Sequence, residues 1–301
     1  MMIIKLCEKS YNCKVLLLKY FGSRIYLGDN QIVIKICPEN SRSLEEFQQE
    51  VRIHTDCQNH PNICKLYDSG IWKNENGETF YIFVMEWGNL GDLRDYRASK
   101  MSADSIHEDD EIKNLIRQMT ESVAHVHKMG YYHNDIKPEN FIIVQKDDAS
   151  PQVRLIDFEC ASKNNQPVIV SEIMTFCMRP PEAIISIIKK QRSAILPKAD
   201  IYSLGITIIY FILHINVFSQ SVRNLINQLI ERLNLFEPYK FPEYQGIILN
   251  GKKKNSPLTA DILANLDKDL VSLLRNMMEN DVEKRFNIDD VMKHKYFEKV
   301  S

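Results

Sequence analysis

The stretch His133-Asn134-Asp135-Ile136-Lys137-Pro138-Glu139-Asn140, followed seventeen residues later by Asp157-Phe158-Glu159, decides how this chain is read. Upstream, residues 111–129 carry Ile112, Leu115, Ile116, Met119, Val123 and Val126 at helical spacing, and Gly130 follows as a stop. Downstream, 141–144 and 153–156 are short apolar runs. The octapeptide is therefore a loop between a helix and a strand. An Asp and an Asn five residues apart on such a loop can aim a carboxylate and an amide into one cleft. Asp135 can face a hydroxyl nucleophile while Asn140 and Asp157 share a hard cation; magnesium takes one or two protein oxygens and the rest from phosphate and water. Far upstream, Lys35 ends the run Ile32-Val33-Ile34-Lys35, and Glu50 on the next helix is placed to pair with it. A lysine held that way binds phosphate oxygens as a point charge.

Working outward, the first hundred residues read mostly as strands. Runs at 14–21, 24–27 and 31–37 are separated by the turn residues Gly22-Ser23 and Gly28-Asp29-Asn30. Residues 43–57 switch to helical spacing, with Leu44, Phe47, Val51 and Ile53/His54 on one face and Ser43/Glu46 as a capping box. Runs at 66–72 and 80–85 flank the hairpin turn Asn74-Glu75-Asn76-Gly77. After Gly88 helices dominate: 199–213, 222–233, 270–279 and 288–297, besides 111–129. A strand-rich small part followed by a helix-rich large part predicts a two-lobed α+β protein. The cleft between the lobes is the default small-molecule site.

Composition agrees. With 301 residues, 44% apolar and 26% charged, the chain suits a globular protein with a sizeable core. Ten glycines and eleven prolines are too few for a fibrous or linker-dominated chain. A net charge of −2 gives no reason to expect nucleic acid or a membrane surface as partner. The seven cysteines are odd in number and lack CxxC spacing, which predicts a reducing compartment, cytoplasmic or nuclear. The N-terminus does not read as a signal peptide. The most apolar stretch, 201–218, is interrupted by Tyr202, Ser203, Tyr210, His214 and Asn216, so it is expected as a buried core helix. Lys252-Lys253-Lys254 reads as a solvated loop. Nothing marks Cys160 or Cys177 as an activated thiol.

From about Tyr11 to Phe297 the chain resembles a eukaryotic-type protein kinase of the serine/threonine class. It offers, in order, Lys35 for the strand lysine, His133 to Asn140 for H-R-D-L-x-x-x-N, Asp157-Phe158-Glu159 for D-F-G and Pro180-Pro181-Glu182 for A-P-E. Asp200-Ile201-Tyr202-Ser203-Leu204-Gly205 resembles D-x-W-S-x-G, and Asp281 to Arg285 resembles D-P-x-x-R, whose Arg pairs with Glu182. Lys137 and Thr175, seven residues before Glu182, fit the serine/threonine pattern. The resemblance implies one bilobal kinase domain over 1–301: a small antiparallel-sheet lobe with one main helix to about 86, a hinge at about 86–91, and a mainly helical lobe over 92–301. It implies ATP and magnesium as cofactors, and a protein substrate with a serine or threonine acceptor. The catalytic set would be Asp135, Lys137 and Thr175; Asn140 and Asp157 would hold metal; Lys35, locked by Glu50, would hold phosphates. Ile25, Val33 and Ile142 would enclose the adenine. Met85 would be the gatekeeper, Glu86 and Gly88 would meet the base edge, and Asp92 the ribose. His133 and Phe158 would stack as a spine, with His54 packed nearby.

Three departures accompany the likeness. The glycine-rich loop shrinks to Tyr20-Phe21-Gly22-Ser23-Arg24-Ile25, which predicts a poor phosphate lid. Glu159 replaces the glycine of D-F-G and is expected to point outward; the alternative is a shift of metal preference towards manganese. Asn134 replaces the arginine that would pair with a phosphorylated segment, so phosphorylation of Ser162, Ser171 or Thr175 is not expected to be the main on-switch. The departures leave one alternative function, a pseudokinase that acts as a binding or scaffolding module. With about ten residues before the likeness and four after, regulation is expected from intrinsic activity, expression or a regulatory protein partner.

Overall fold

The computed structural model describes residues 2–20, 23–100, 110–147, 149–164, 166–169, 174–175, 178–191, 193, 196–213 and 266–298. Phe21-Gly22, Ser171, Cys177, the expected helix 222–233 and Lys252 to Lys254 lie outside these residues.

The small lobe is a five-stranded antiparallel sheet. Its strands are β3 (Val15–Tyr20), β4 (Ser23–Leu27), β5 (Ile32–Pro38), β6 (Leu66–Lys73) and β7 (Thr79–Glu86), in the order β3-β4-β5-β7-β6. Both faces are covered, which explains why β5 and β7 read as continuous apolar runs rather than alternating ones. On one face helix α1 (Leu44–Cys57) packs Phe47 on Tyr81 and Phe83, with ring centroids 4.7 and 5.1 Å apart. The capping box starts α1 as the sequence predicts: Glu46 N–H donates to Ser43 Oγ at 3.2 Å, and Ser43 N–H to Glu46 at 2.6 Å.

The other face carries an element not anticipated. β1 (Met2–Leu6) and β2 (Lys9–Cys13) form an antiparallel hairpin. Its Ile4, Leu6 and Cys13 are buried with Ile34, Ile36, Ile82 and Val84 of the sheet. Tyr11 Oη donates to Asp68 at 2.6 Å and pins the hairpin to β6. Leu6 packs so closely on Gly70 that a Cβ there would lie 3.2 Å from Leu6 Cδ2.

The large lobe contains α2 (Leu93–Lys100), α3 (Asp110–Lys128), α4 (Pro181–Ile188), α5 (Ala199–Leu213), α6 (Lys268–Met277) and α7 (Ile288–Met292). Gly130, at φ 83°, ends α3 as expected. α5 spans the predicted 199–213 and is buried nearly all round, which accounts for its uninterrupted apolar texture. Three details differ. α2 and α4 are helices that the periodicity left unassigned. The single helix expected over 288–297 is α7 followed by a separate turn at Lys295–Phe297. No helix among the described residues is long and apolar enough to cross a membrane.

Candidate active site

Between the lobes, β8 (Tyr131–Tyr132), β9 (Phe141–Val144) and β10 (Gln152–Leu155) frame the loop 133–140. Asp200 at the start of α5 anchors that loop. Its carboxylate accepts from the backbone N–H of His133 and of Asn134, each at 2.8 Å, and lies 2.9 Å from His127 Nε2. Burial alone would raise the Asp200 carboxyl, but these partners hold it below the ordinary carboxylate range. An anchored loop fixes where Asp135 points.

Asp135 gathers the residues that the resemblance implies are catalytic. Its Oδ1 accepts from the Thr175 hydroxyl and the Thr175 N–H, both at 2.9 Å. Its Oδ2 accepts from Lys137 Nζ and, at 3.3 Å, from Asn140 Nδ2. Lys137 also reaches Thr175 Oγ1 at 3.2 Å. The Asn140 amide donates to the Asp135 carbonyl at 2.7 Å, which leaves its oxygen as the end able to take a cation.

A second group crosses between the lobes. Lys35 Nζ lies 2.9 Å from Asp157, 3.7 Å from Glu50 and 3.9 Å from Glu159. Burial by itself would lower the Lys35 ammonium, but Asp157 and Glu50 hold it well above its usual value. Burial would likewise raise Asp157; Lys35 outweighs it and brings that carboxyl down to about 2. Asp157 is thus ionised at neutral pH; its carboxylate and the Asn140 amide oxygen are hard-oxygen groups of the kind that could hold magnesium. Asp157 itself sits at φ 69°, a left-handed conformation that Asp tolerates better than most residues. The anticipated Lys35–Glu50 contact is longer than Lys35–Asp157, and the closest partner of Glu50 is Arg42, which the sequence reading missed. Glu159, expected to point outward, has a side chain 51% exposed, with Lys35 3.9 Å from its carboxylate.

His133 and His54 flank Phe158, with ring centroids 5.2 and 4.9 Å from it. His133 Nε2 is 3.0 Å from the Ile156 carbonyl, and His54 Nε2–H donates to the Cys64 carbonyl at 2.8 Å. Burial pushes His54 down to about 4. A histidine kept neutral in the fold but ordinary in the unfolded chain gives full stability above about pH 6.5, and that stability drains away as pH falls towards 4. The shift corresponds to roughly 3 kcal/mol. Urea unfolding of wild type and His54→Gln at pH 7.5 and 4.5 checks this: the variant loses less stability between the two pH values.

The nucleotide walls follow from register. Lys35 pairs with Ile25 and Phe83, and Val33 with Leu27 and Met85, so these side chains share the cleft face of the sheet. The pairing Val15↔Leu27 and Leu18↔Ile25 adds Val15 and Leu18, 53% and 54% exposed, to the same face. Both were missed, because a bulge between Leu16 and Leu18 shifts the alternation. Ile142 lies opposite, against Gly88: a Cβ at Gly88 would stand 2.6 Å from Ile142 Cβ, so only glycine fits. Glu86 is buried, and its side chain is tied to Arg154 at 3.2 Å. Its N–H donates to the Lys65 carbonyl at 2.9 Å, so the group it can offer for recognition is its carbonyl, which takes the Cys64 thiol at 3.7 Å. Asp92 is already engaged: it caps α2 through Arg94 N–H at 2.8 Å and pairs with the Arg94 guanidinium at 2.8 Å.

Beyond the residues around Asp135, Asn134 Nδ2 donates to the Cys160 carbonyl at 3.0 Å and Ser162 Oγ at 2.9 Å. Cys160 lies near the cleft, but burial pushes its thiol up to about 12, so it is inert at neutral pH. The six described cysteines are all free thiols.

The comparisons with known proteins bear on this arrangement. The chain matches the family model described as protein kinase domain over residues 27–297. It is 27% identical over 268 residues to "Dual specificity protein kinase TTK" of Mus musculus, covering 85% of this chain and 27% of that protein. It is 26% identical over 266 residues to "Serine/threonine-protein kinase atg1" of Dictyostelium discoideum, covering 88% and 34%. It is 27% identical over 277 residues to "Serine/threonine-protein kinase cds1" of Schizosaccharomyces pombe, covering 90% and 52%. The chain thus spans between about a quarter and a half of the length of these relatives. Hairpin β1–β2 and strand β3 precede the matched span, whereas Lys35, Glu50, the 133–140 loop, Asp157 and the Glu182–Arg285 pair all fall within it. With two bonded lobes, an anchored Asp135 and a family match over most of its length, the chain belongs to the protein kinase domain family.

Proposed function

We propose that this chain is an active serine/threonine protein kinase that uses magnesium and ATP. The observation that carries the reading is the convergence of Thr175, Lys137 and Asn140 on the Asp135 carboxylate. Such a carboxylate is placed to orient a protein hydroxyl and take its proton. The hydroxyl oxygen bonds to the γ-phosphorus, the bond from that phosphorus to the β–γ bridging oxygen breaks, and ADP leaves. Lys137 moves its charge from Asp135 to the transferred group, and Lys35 meets the α- and β-phosphates. Magnesium, held by Asn140 and Asp157, would neutralise phosphate charge. Catalysis of this kind is positioning plus charge stabilisation. Val15, Leu18, Ile25, Val33 and Ile142 would enclose the base, with backbone groups of Glu86 and Gly88 at its edge. Asp92, clamped by Arg94, would reach a ribose only by sharing its carboxylate.

Relatives that are serine/threonine and dual-specificity kinases support phosphoryl transfer over the scaffold reading. Free thiols support a reducing compartment. The test is autophosphorylation and transfer to a broad protein mixture with γ-labelled ATP, in magnesium and in manganese, with phosphoamino-acid analysis. Label on serine or threonine supports the proposal. No label in either metal points to the scaffold module instead.

Asn134 supports activity independent of loop phosphorylation, since an amide already fastens the segment at Cys160 and Ser162. The expected outcome is that phosphatase treatment leaves the transfer rate unchanged. Asn134→Ala loses two hydrogen bonds of about 0.5–1.5 kcal/mol each and exposes residues 160–164 to limited proteolysis.

A further inference from the structure

The partners of Glu50 divide unevenly. Its Oε2 is bonded directly to the Arg42 guanidinium, whereas Lys35 stands 3.7 Å from Oε1 and lies closer to Asp157. Arg42 and Glu50 are both buried. Arg42 immediately precedes the N-cap Ser43, so the contact ties the middle of helix α1 to its own entry segment, which the guanidinium in turn seats over Phe83 of β7 in the sheet. The guanidinium also reaches the Glu46 carbonyl at 3.4 Å, and like Lys35 it lies against the Phe83 ring, 5.9 and 5.5 Å from the ring centre respectively. Glu50, Asp157 and Glu159 are three carboxylates around one lysine; Arg42 supplies the second cation that a lone lysine would lack. One guanidinium nitrogen holds the Glu50 carboxylate and the other reaches the Glu46 carbonyl, a fixed planar spacing of two donors that an ammonium does not offer.

We infer that Arg42 is the positioning residue that locks Glu50 and helix α1 in the assembled state, leaving Lys35 to Asp157 and phosphate. The inference rests on the kinase reading for its consequence but not for its geometry. Lys35 can then leave for the phosphates of an incoming nucleotide without releasing α1. The helix is held before nucleotide arrives, and an extra carboxylate at position 159 is tolerated.

Amide hydrogen exchange over residues 44–57, in the full chain without nucleotide, tests this. Arg42→Met is expected to accelerate exchange in α1, and Lys35→Met to leave it at the wild-type rate. Arg42→Lys is expected to restore protection only in part. If Arg42→Met fails to fold because Glu50 is left buried and unpaired, the double variant Arg42→Met/Glu50→Met removes both charges. Its α1 is expected to stay in contact with the sheet through Phe47 but to exchange faster than wild type. In activity assays Arg42→Met is expected to lower kcat more than it raises the KM for ATP, since preassembly is lost while the phosphate contacts of Lys35 remain. Equal acceleration of α1 exchange in Lys35→Met and Arg42→Met would overturn the inference, as would wild-type exchange in Arg42→Met. Exchange is read whether or not phosphate is transferred, so failure here and failure of the kinase reading are separate results.

Discussion

Asp135→Asn is expected to lower the rate of phosphoryl transfer by about 10²–10⁴-fold, with little change in the KM for ATP. The amide keeps the volume of the carboxylate and can still meet the Thr175 hydroxyl. It cannot take a proton, and it no longer offers two anionic oxygens to Lys137 and Thr175. The nucleotide contacts assigned to Lys35 and Asp157 lie outside this group and are bonded to each other at 2.9 Å. Binding and transfer therefore separate. Initial rates with γ-labelled ATP at several nucleotide concentrations check the split. A variant that keeps more than about a tenth of the rate would show that no group in this position acts as general base, because that role supplies at least about a hundredfold.

The largest effect on stability is expected from Arg285→Ala, a loss of about 3–5 kcal/mol. The Arg285 side chain is wholly buried and makes a two-pronged bond to Glu182, at 2.6 and 2.9 Å. It also donates to the carbonyls of Glu279 at 2.8 Å and Lys198 at 3.1 Å, and it lies 5.0 Å from the Tyr202 ring centre. One side chain thereby joins the first turn of α4, the residue before α5 and the turn between α6 and α7. Removing it leaves a partly buried carboxylate and two carbonyls without their donor. Arg285→Lys is expected to recover little, because a single ammonium cannot span both oxygens of Glu182. Urea unfolding of the three proteins at pH 7 gives the measurement. A midpoint for Arg285→Ala equal to that of wild type would show that the pair contributes nothing net.

What could be read from the chain without coordinates was whatever lies close in sequence. Residues 133–140 keep their spacing on one short loop, so Asp135, Lys137 and Asn140 could be placed together from order alone. The lysine of β5 and the carboxylate of Asp157 are 122 residues apart, and family resemblance rather than periodicity brought them to one cleft. Arg42 escaped notice because it lies eight residues before Glu50; that separation places no pair on one helix face unless the entry segment folds back. Glu159 keeps the outward, half-exposed side chain that the sequence predicts, with Lys35 3.9 Å from its carboxylate. Hairpin β1–β2 did leave a trace, since Ile4 and Leu6 alternate with Ile3 and Lys5. Five residues of alternation carry weight only when a partner sheet face is known.

That hairpin also bears on how the chain is made. β1 and β2 leave the ribosome before the sheet that covers them, since β6, which holds them through Asp68, ends only at Lys73. At synthesis rates of about 5–20 residues per second, the hairpin waits on the order of 3–12 seconds for its partner. During that interval Ile4, Leu6 and Cys13 have no sheet to cover them. The earliest part of the small lobe to be synthesised is thus among the last to be buried, and nascent-chain chaperones have their window on this protein there.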